Sequence, residues 1–214
     1  MNLKRSVLVV ENEPLLRDLI ASMLKVNGFE VNTAENAALA KRAVELHDPD
    51  ALVLDIDLGL GPNGFHLAKA IGGTKSGRAI VFLTNLPDAR FAGDSDQQVM
   101  KGAAYLRKSS LSDASVLVGA LNAVLSEAVG LEYRHDLSQS RPLVKLSSSQ
   151  LQVLRFIAQG KSNSQIATLR GTSVRAVEAI VTRIFGQLQI SNTGDGNPRV
   201  EAANAYFSAM GLKP

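Results

Sequence analysis

Five short apolar runs, each followed by a stretch of helical periodicity, occupy the first 125 residues and restrict the fold more than any other feature of the chain. The first run, SVLVV at 6–10, is β-branched and bounded by polar residues, as a strand buried on both faces must be. Behind it Leu15, Leu16, Leu19, Ile20, Met23 and Leu24 recur at helical spacing, and Asn27-Gly28 closes that helix. The alternation continues with strand Phe29–Thr33 and helix Ala37–Leu46, then strand Ala51–Ile56 and helix Gly64–Ile71. It ends with strand Ala79–Leu83, a weaker helix Asp94–Lys101, strand Ala103–Leu106 and helix Asp113–Ala128. Such an order predicts an α/β fold, a doubly wound parallel five-stranded sheet with helices on both faces.

In sheets of this kind reactive groups gather beyond the carboxyl ends of the strands. Glu11, Asn12 and Glu13 follow the first strand, and Asp55 and Asp57 stand at the end of the third. Thr84-Asn85 ends the fourth, and Lys108 follows the fifth. A carboxylate nucleophile, oxygen ligands for a divalent ion, a hydroxyl and an ammonium together suit phosphoryl chemistry. Taken singly, Asp55 could cap a turn, Thr84 is an ordinary strand residue and Lys108 a solvated charge. Their convergence on one edge is what points to a site.

VLVVENEP, ALVLDIDLGLGPNGF, IVFLTN and GAAYLRKS carry a specific likeness: residues 1 to about 125 resemble the CheY-like receiver domains of two-component response regulators, which are flavodoxin-like in fold. The resemblance implies that Asp55 is a phosphoacceptor served by a sensor histidine kinase. It implies Mg²⁺ held by Glu11, Asn12, Asp55 and the backbone carbonyl of Asp57, with Thr84 following the phosphoryl group. Tyr105 would be the aromatic switch, and Lys108 the partner of the acidic pocket. Three positions depart from the family pattern. Asn12 stands where a second acid usually binds the metal directly, and its amide oxygen brings no charge. Glu13 cannot replace it, because adjacent side chains on an extended segment point apart. Asn85 replaces a small residue, and Ser109 the usual proline. A phosphorylatable site with weakened metal binding is expected. Two alternatives stay open: a receiver that works unphosphorylated as a protein-binding or dimerisation module, and a phosphatase. The phosphatase reading takes Asp55-Ile56-Asp57 as the DxD of a haloacid-dehalogenase-type enzyme. That family needs a further acidic motif after the lysine, and none follows Lys108.

Residues 126–142 loosen into a polar linker whose early part extends the last helix, and residues 143–214 form a second, all-α domain. Leu146-Ser147 supplies an N-cap, and Leu151, Leu154, Ile157 and Ala158 a helical face ending at Gly160. Ser162–Leu169 is a short helix, and Arg170-Gly171-Thr172 a tight turn. Ser173 caps a third helix striped by Val177, Val181, Ile184 and Leu188, which completes a helix-turn-helix pattern. Charge divides between the halves: up to Leu125 there are 13 Lys/Arg against 14 Asp/Glu, whereas from Leu143 onward there are 8 against 3. A basic second half fits a polyanion partner.

From Leu146 to Ile190 the wording VLRFIAQGKSNSQIA, GTSVRAVE and RIFGQL resembles the LuxR/NarL-type DNA-binding domain. The likeness makes Ser173–Leu188 the recognition helix, with Val174, Arg175, Glu178, Ala179 and Thr182 facing the major groove. Lys161, Ser162, Asn163 and Arg183 would hold phosphates. Ala176, Ile180 and Glu178 stand where Thr, His and often Lys occur in the family, so lower affinity and reliance on paired half-sites are expected. The last helix, Arg199–Met210, carries Val200, Ala203, Phe207 and Met210. In the family the corresponding helix closes the bundle and pairs with its twin, which implies a homodimer when active.

The chain has no cysteine, which excludes disulfides, thiolate zinc sites and a thiol nucleophile. No apolar run approaches the roughly 20 residues that span a bilayer, and the start lacks the pattern of a signal peptide. The expectation is a cytoplasmic, non-enzymatic transcription regulator that meets double-stranded DNA and a kinase but no membrane.

Overall fold

The computed structural model describes residues 4–72, 78–92, 99–111, 113–190 and 196–212. They fall into two compact units, one reaching to Ser138 and the other starting at Gln139.

In the first unit strands β1 (Ser6–Val10), β2 (Glu30–Ala34), β3 (Ala51–Leu54), β4 (Ala79–Thr84) and β5 (Ala104–Arg107) form one parallel sheet in the order β2-β1-β3-β4-β5. Helices α1 (Pro14–Val26), α2 (Ala37–His47), α3 (Gly64–Gly72) and α4 (Ala114–Leu125) connect and cover it. The alternation of side chains along each strand divides the core. Val7, Val9, Val53, Val81, Leu83, Ala104 and Leu106 pack with Ile20 and Leu24 of α1 and with Leu117, Ala120 and Leu121 of α4. On strands buried this completely every position is apolar; no residue of β3 exposes more than 1% of its surface. Phe65 of α3 meets Phe82 of β4, ring centroids 4.8 Å apart.

Helix starts follow their caps. Asn36 accepts from the Leu39 N–H, Asp113 accepts from the Ser115 N–H, and Pro14 opens α1, where its missing N–H costs nothing. α4 stops three residues short of the expected Ala128. The Ser126 hydroxyl donates back to the Asn122 and Ala123 carbonyls, and Glu127 takes a left-handed φ of 56°. Of the helix expected at Asp94–Lys101, residues 94–98 lie outside the described residues, while Val99 and Met100 are irregular and Lys101-Gly102 form a turn. Ahead of it a 3₁₀ turn spans Ala89–Ala92.

The stretch expected as linker is partly ordered against the sheet. Two 3₁₀ turns, Leu131–Tyr133 and His135–Leu137, run along the outer edge of β5, where Tyr105 and Arg134 form a parallel bridge. The backbone N–H of Arg107 donates to His135 Nδ1 at 3.1 Å, and Arg134 grips Asp136 through two hydrogen bonds of 2.9 and 2.8 Å. Tyr133 lies so close over α4 that a Cβ on Gly119 would sit 2.4 Å from its hydroxyl oxygen. The strap thereby covers what is otherwise a row of unpaired backbone groups on an edge strand.

The second unit consists of α5 (Ser148–Ala158), α6 (Asn163–Arg170), α7 (Val174–Leu188) and α8 (Pro198–Ala209). Ser147 with Gln150, and Ser162 with Gln165, form reciprocal capping boxes, while Ser173 and Asn197 cap α7 and α8. Leu151, Val153, Leu154, Ile157, Ile166, Val177, Val181 and Ile184 fill the core. α8 is turned by one residue relative to the expected stripe: it buries Ala202, Tyr206 and Ala209, leaving Val200 54% exposed and Ala203, Phe207 and Met210 half-buried.

His135 makes the strap sensitive to acid. Burial, helped by the charge of Arg107, sets its pKa below the ordinary histidine value, against the hydrogen bond at Glu132 and the charge of Asp136, which pull it up. A histidine lowered in this way favours the packed state above its free pKa, and that support is lost as pH falls. Hydrogen-exchange protection of the Arg107 amide, corrected for intrinsic rates, should therefore drop between about pH 7 and 5. Protection that stays flat over this range would contradict the assignment.

Candidate functional site

Backbone pairing brings the strand-end residues together before any side chain acts. The Asp55 N–H donates to the Val10 carbonyl at 2.9 Å, so the residue after β3 abuts the end of β1, and Glu11 follows Val10 directly. Register does the rest: Leu54 lies beside Phe82, and Thr84 beside Arg107, the neighbour of Lys108. α3 closes the floor, where a Cβ on Gly64 would fall 2.2 Å from the Asp55 carbonyl oxygen and 2.8 Å from Ile56 Cα. Only glycine fits at the point where this helix starts.

Lys108 is the hub. Its Nζ stands 2.7 Å from Glu11 Oε2 and 2.8 Å from Asp55 Oδ2, with all three side chains no more than 9% exposed. The Thr84 hydroxyl also favours the charged form of Asp55, against the effect of burial. Each carboxylate has its other oxygen on a backbone N–H: Asp55 Oδ1 accepts from Asp57, and Glu11 Oε1 from Glu13, both at 3.2 Å. Burial raises the pKa of both carboxyls, and Lys108 opposes that rise. Burial alone would lower Lys108, yet Asp55 and Glu11 together raise it. The result is a buried cluster of two carboxylates around one ammonium, one negative charge in excess when all three are ionised.

Four of the expected phosphoryl-site residues, Asp55, Thr84, Lys108 and Glu11, therefore meet. Asn12 is exposed, its amide lying over Gly59 in the loop after β3. Asp57 is exposed too, and its carboxylate accepts from the Gly59 N–H at 3.3 Å, turned into its own loop rather than toward Asp55. That position suits a loop brace. Tyr105 is fully buried, its hydroxyl donating to the Leu86 carbonyl at 2.9 Å, two residues beyond Thr84. Burial and the nearby Asp88 push its pKa well above the ordinary tyrosine value. The oxygens that the sequence assigns to Mg²⁺, those of Glu11, Asp55, the Asn12 amide and the Asp57 carbonyl, are of the hard kind that ion prefers. Among the described residues no three His, Cys, Asp or Glu side chains gather as a metal-holding group, so the charge available to such an ion is that of two carboxylates.

In the second unit α6 ends at Gly171, in the left-handed region, and α7 follows across the turn. Ser173, Val174, Arg175, Glu178, Ala179, Thr182 and Arg183 all face solvent, as does Ser162 at the start of α6, while Lys161 and Asn163 are half-buried. Three hydroxyls have structural duties: Ser162 accepts from the Gln165 N–H, Ser173 accepts from the Ala176 N–H, and Thr182 donates to the Glu178 carbonyl at 3.0 Å. Arg199 of α8, which sequence reasoning passed over, bonds both Asn163 and the Lys161 carbonyl. One signal pointed to it: a cation in the first turn of a helix opposes the helix dipole and needs another reason to be there. Among the described residues no helix is long and apolar enough to cross a membrane.

Comparison with known proteins agrees with both halves. Residues 7–110 match the response regulator receiver domain family, and residues 144–195 match the bacterial regulatory proteins of the luxR family. The transcriptional regulatory protein TdiR of Thauera aromatica is 29% identical, over 98% of this chain and 91% of its own length. The Fimbriae Z protein of Salmonella typhimurium is 27% identical over 86% of this chain and 90% of its own. Among solved structures, one of two RcsB dimers bound to two parallel DNAs aligns with a TM-score of 0.56 and 20% identity, covering 95% of this chain and 98% of that one. That likeness extends the shared fold over both units.

Replacing Lys108 by Met should leave two buried carboxylates without their cation and cost about 3–5 kcal/mol at neutral pH. Both carboxyls already titrate above their ordinary values. A raised carboxyl loses stability as pH rises, so the variant should recover toward wild type as acid protonates them. Chemical denaturation at several pH values reads this, and a pH-independent deficit would contradict it.

Proposed function

The chain belongs to the response regulators that join a receiver to a LuxR-family DNA-binding domain, and from that premise we propose that Asp55 is its phosphoacceptor and α7 its promoter-reading helix. The single observation that best supports the first half is Lys108 bridging Asp55 and Glu11 within a pocket closed by Thr84. The donor would be a phosphohistidine of a sensor histidine kinase. An Asp55 carboxylate oxygen attacks phosphorus, the phosphorus–nitrogen bond breaks, and the imidazole leaves with the electron pair. An acyl phosphate results. Lys108 turns from the free carboxylate to the phosphoryl oxygens, and Thr84 offers its hydroxyl to another of them. Glu11, Asp55, the Asn12 amide oxygen and the Asp57 carbonyl would hold Mg²⁺, which when bound neutralises charge on the transferring group. With an amide in that set, binding is weaker than at a site of three acids.

The second unit would dock α7 in the major groove, Arg175 and Glu178 at base edges, with Lys161, Asn163 and Arg183 on phosphates. Glu178 can accept from cytosine N4 but repels phosphate, which favours two half-sites read by a homodimer. The part-exposed stripe of Val200, Ala203, Phe207 and Met210 on α8 supports that pairing.

A second reading has its own support. With Asn12 neutral and exposed, and both carboxylates already satisfied by Lys108 and backbone N–H groups, the receiver is stable as a protein-binding module without phosphorylation. Intact-mass measurement after incubation with acetyl phosphate and Mg²⁺ separates the two. One phosphoryl adduct is expected on the wild type and on Asp57→Asn, and none on Asp55→Asn. No adduct on the wild type with any divalent ion would favour the module.

A further inference from the structure

Helix α8 begins with Asn197 as cap and Pro198 in the first position, and Arg199 comes next. The Asn197 side chain accepts from the Arg199 N–H at 3.0 Å, so the backbone of Arg199 is held in place. Its guanidinium reaches across to the start of α6. One amino group donates to Asn163 Oδ1 at 2.8 Å and the other to the Lys161 carbonyl, on either side of the Ser162 cap. A guanidinium has five donors and no acceptor. It can therefore engage only the oxygen of the Asn163 amide, and that choice decides which end of the amide is free. The nitrogen keeps its two N–H donors for another acceptor, on a half-buried residue in the first turn of α6, where the helix dipole already favours an anion.

We propose that Arg199 is a positioning residue of the DNA interface, setting the Asn163 amide so that its nitrogen donates to a backbone phosphate and fixing the backbone at Lys161. The proposal rests on the reading of α6 and α7 as the DNA-binding pair. Arg199 does not touch DNA itself. Its fork works by geometry, so Arg199→Lys keeps the charge and loses the function. Its position in the first turn of α8, unfavourable for a cation on electrostatic grounds, is explained by the two acceptors it serves.

The test uses the full-length protein and a fluorescein-labelled random-sequence duplex of about 30 base pairs, read by anisotropy between roughly 50 and 200 mM salt. Arg199→Lys and Arg199→Ala should each weaken binding by about five- to tenfold, the net worth of about one ordinary hydrogen bond. Asn163→Ala should weaken it similarly, and Asn163→Ala combined with Arg199→Lys should be hardly weaker than either alone. The dependence of log affinity on log salt should be unchanged in Arg199→Lys, because no cation–phosphate contact has been removed. Thermal unfolding should show Arg199→Lys still folded at the assay temperature; if Arg199→Ala is not, the lysine variant decides. Losses that multiply in the double variant, or wild-type affinity in Arg199→Lys, would overturn the proposal. Arg183→Ala tests the underlying reading separately. If it leaves affinity and salt slope unchanged, the DNA-facing assignment of α7 fails; if it weakens binding while both Arg199 variants match wild type, only the role of Arg199 fails.

Discussion

A buried ammonium between two buried carboxylates governs the receiver. Lys108 sits within 2.8 Å of both Glu11 and Asp55, and without it two buried carboxylates would face each other with no cation to offset them. The arrangement also suits the chemistry proposed for Asp55. Burial makes its carboxylate more basic than a solvated one, Lys108 keeps it ionised, and the backbone N–H of Asp57 fixes one oxygen. The same ammonium is the group that can follow a phosphoryl group once one arrives, so structural neutralisation and the proposed reactivity use one side chain.

The pocket is in turn attached to the far edge of the sheet. Thr84 ends β4, Leu86 takes the hydrogen bond of Tyr105, and Tyr105 bridges to Arg134 of the strap. Each of these contacts is local, and together they form a continuous series from Asp55 to the segment that leads out of the receiver. In the second unit the parallel logic is one of capping. Three serines open α5, α6 and α7, and Arg199 locks the residues around the second of these caps. Rigid helix starts suit a surface that must match the spacing of phosphates.

Much of this was legible in the residues. The β-branched runs separated by helical periodicity specify a parallel sheet, and a parallel sheet places strand-end residues on one edge, so Asp55, Thr84 and Lys108 could be gathered without coordinates. Ser147 and Ser173 announced two helix starts by their capping chemistry. What escaped was tertiary. His135 and Asp136 look like linker residues, and only the open edge of β5 gives them partners. On α8, Ala202 and Ala209 bury themselves around Tyr206 because small side chains permit close approach to the bundle, while the larger Val200 and Phe207 turn outward. Hydrophobicity alone selects the wrong stripe there. Arg199 escaped because its partners are a carbonyl and an amide 36 to 38 residues away, which leave no periodic trace.

The account stands on the occupancy of Asp55 being read by the DNA-binding unit. The direct measurement is the affinity of the intact protein for a promoter-length duplex, before and after treatment with acetyl phosphate and Mg²⁺, with Asp55→Asn in parallel. A change in affinity for the wild type, absent in Asp55→Asn, is the predicted result. Wild-type protein that carries the phosphoryl group and binds DNA as it did without it would contradict the account.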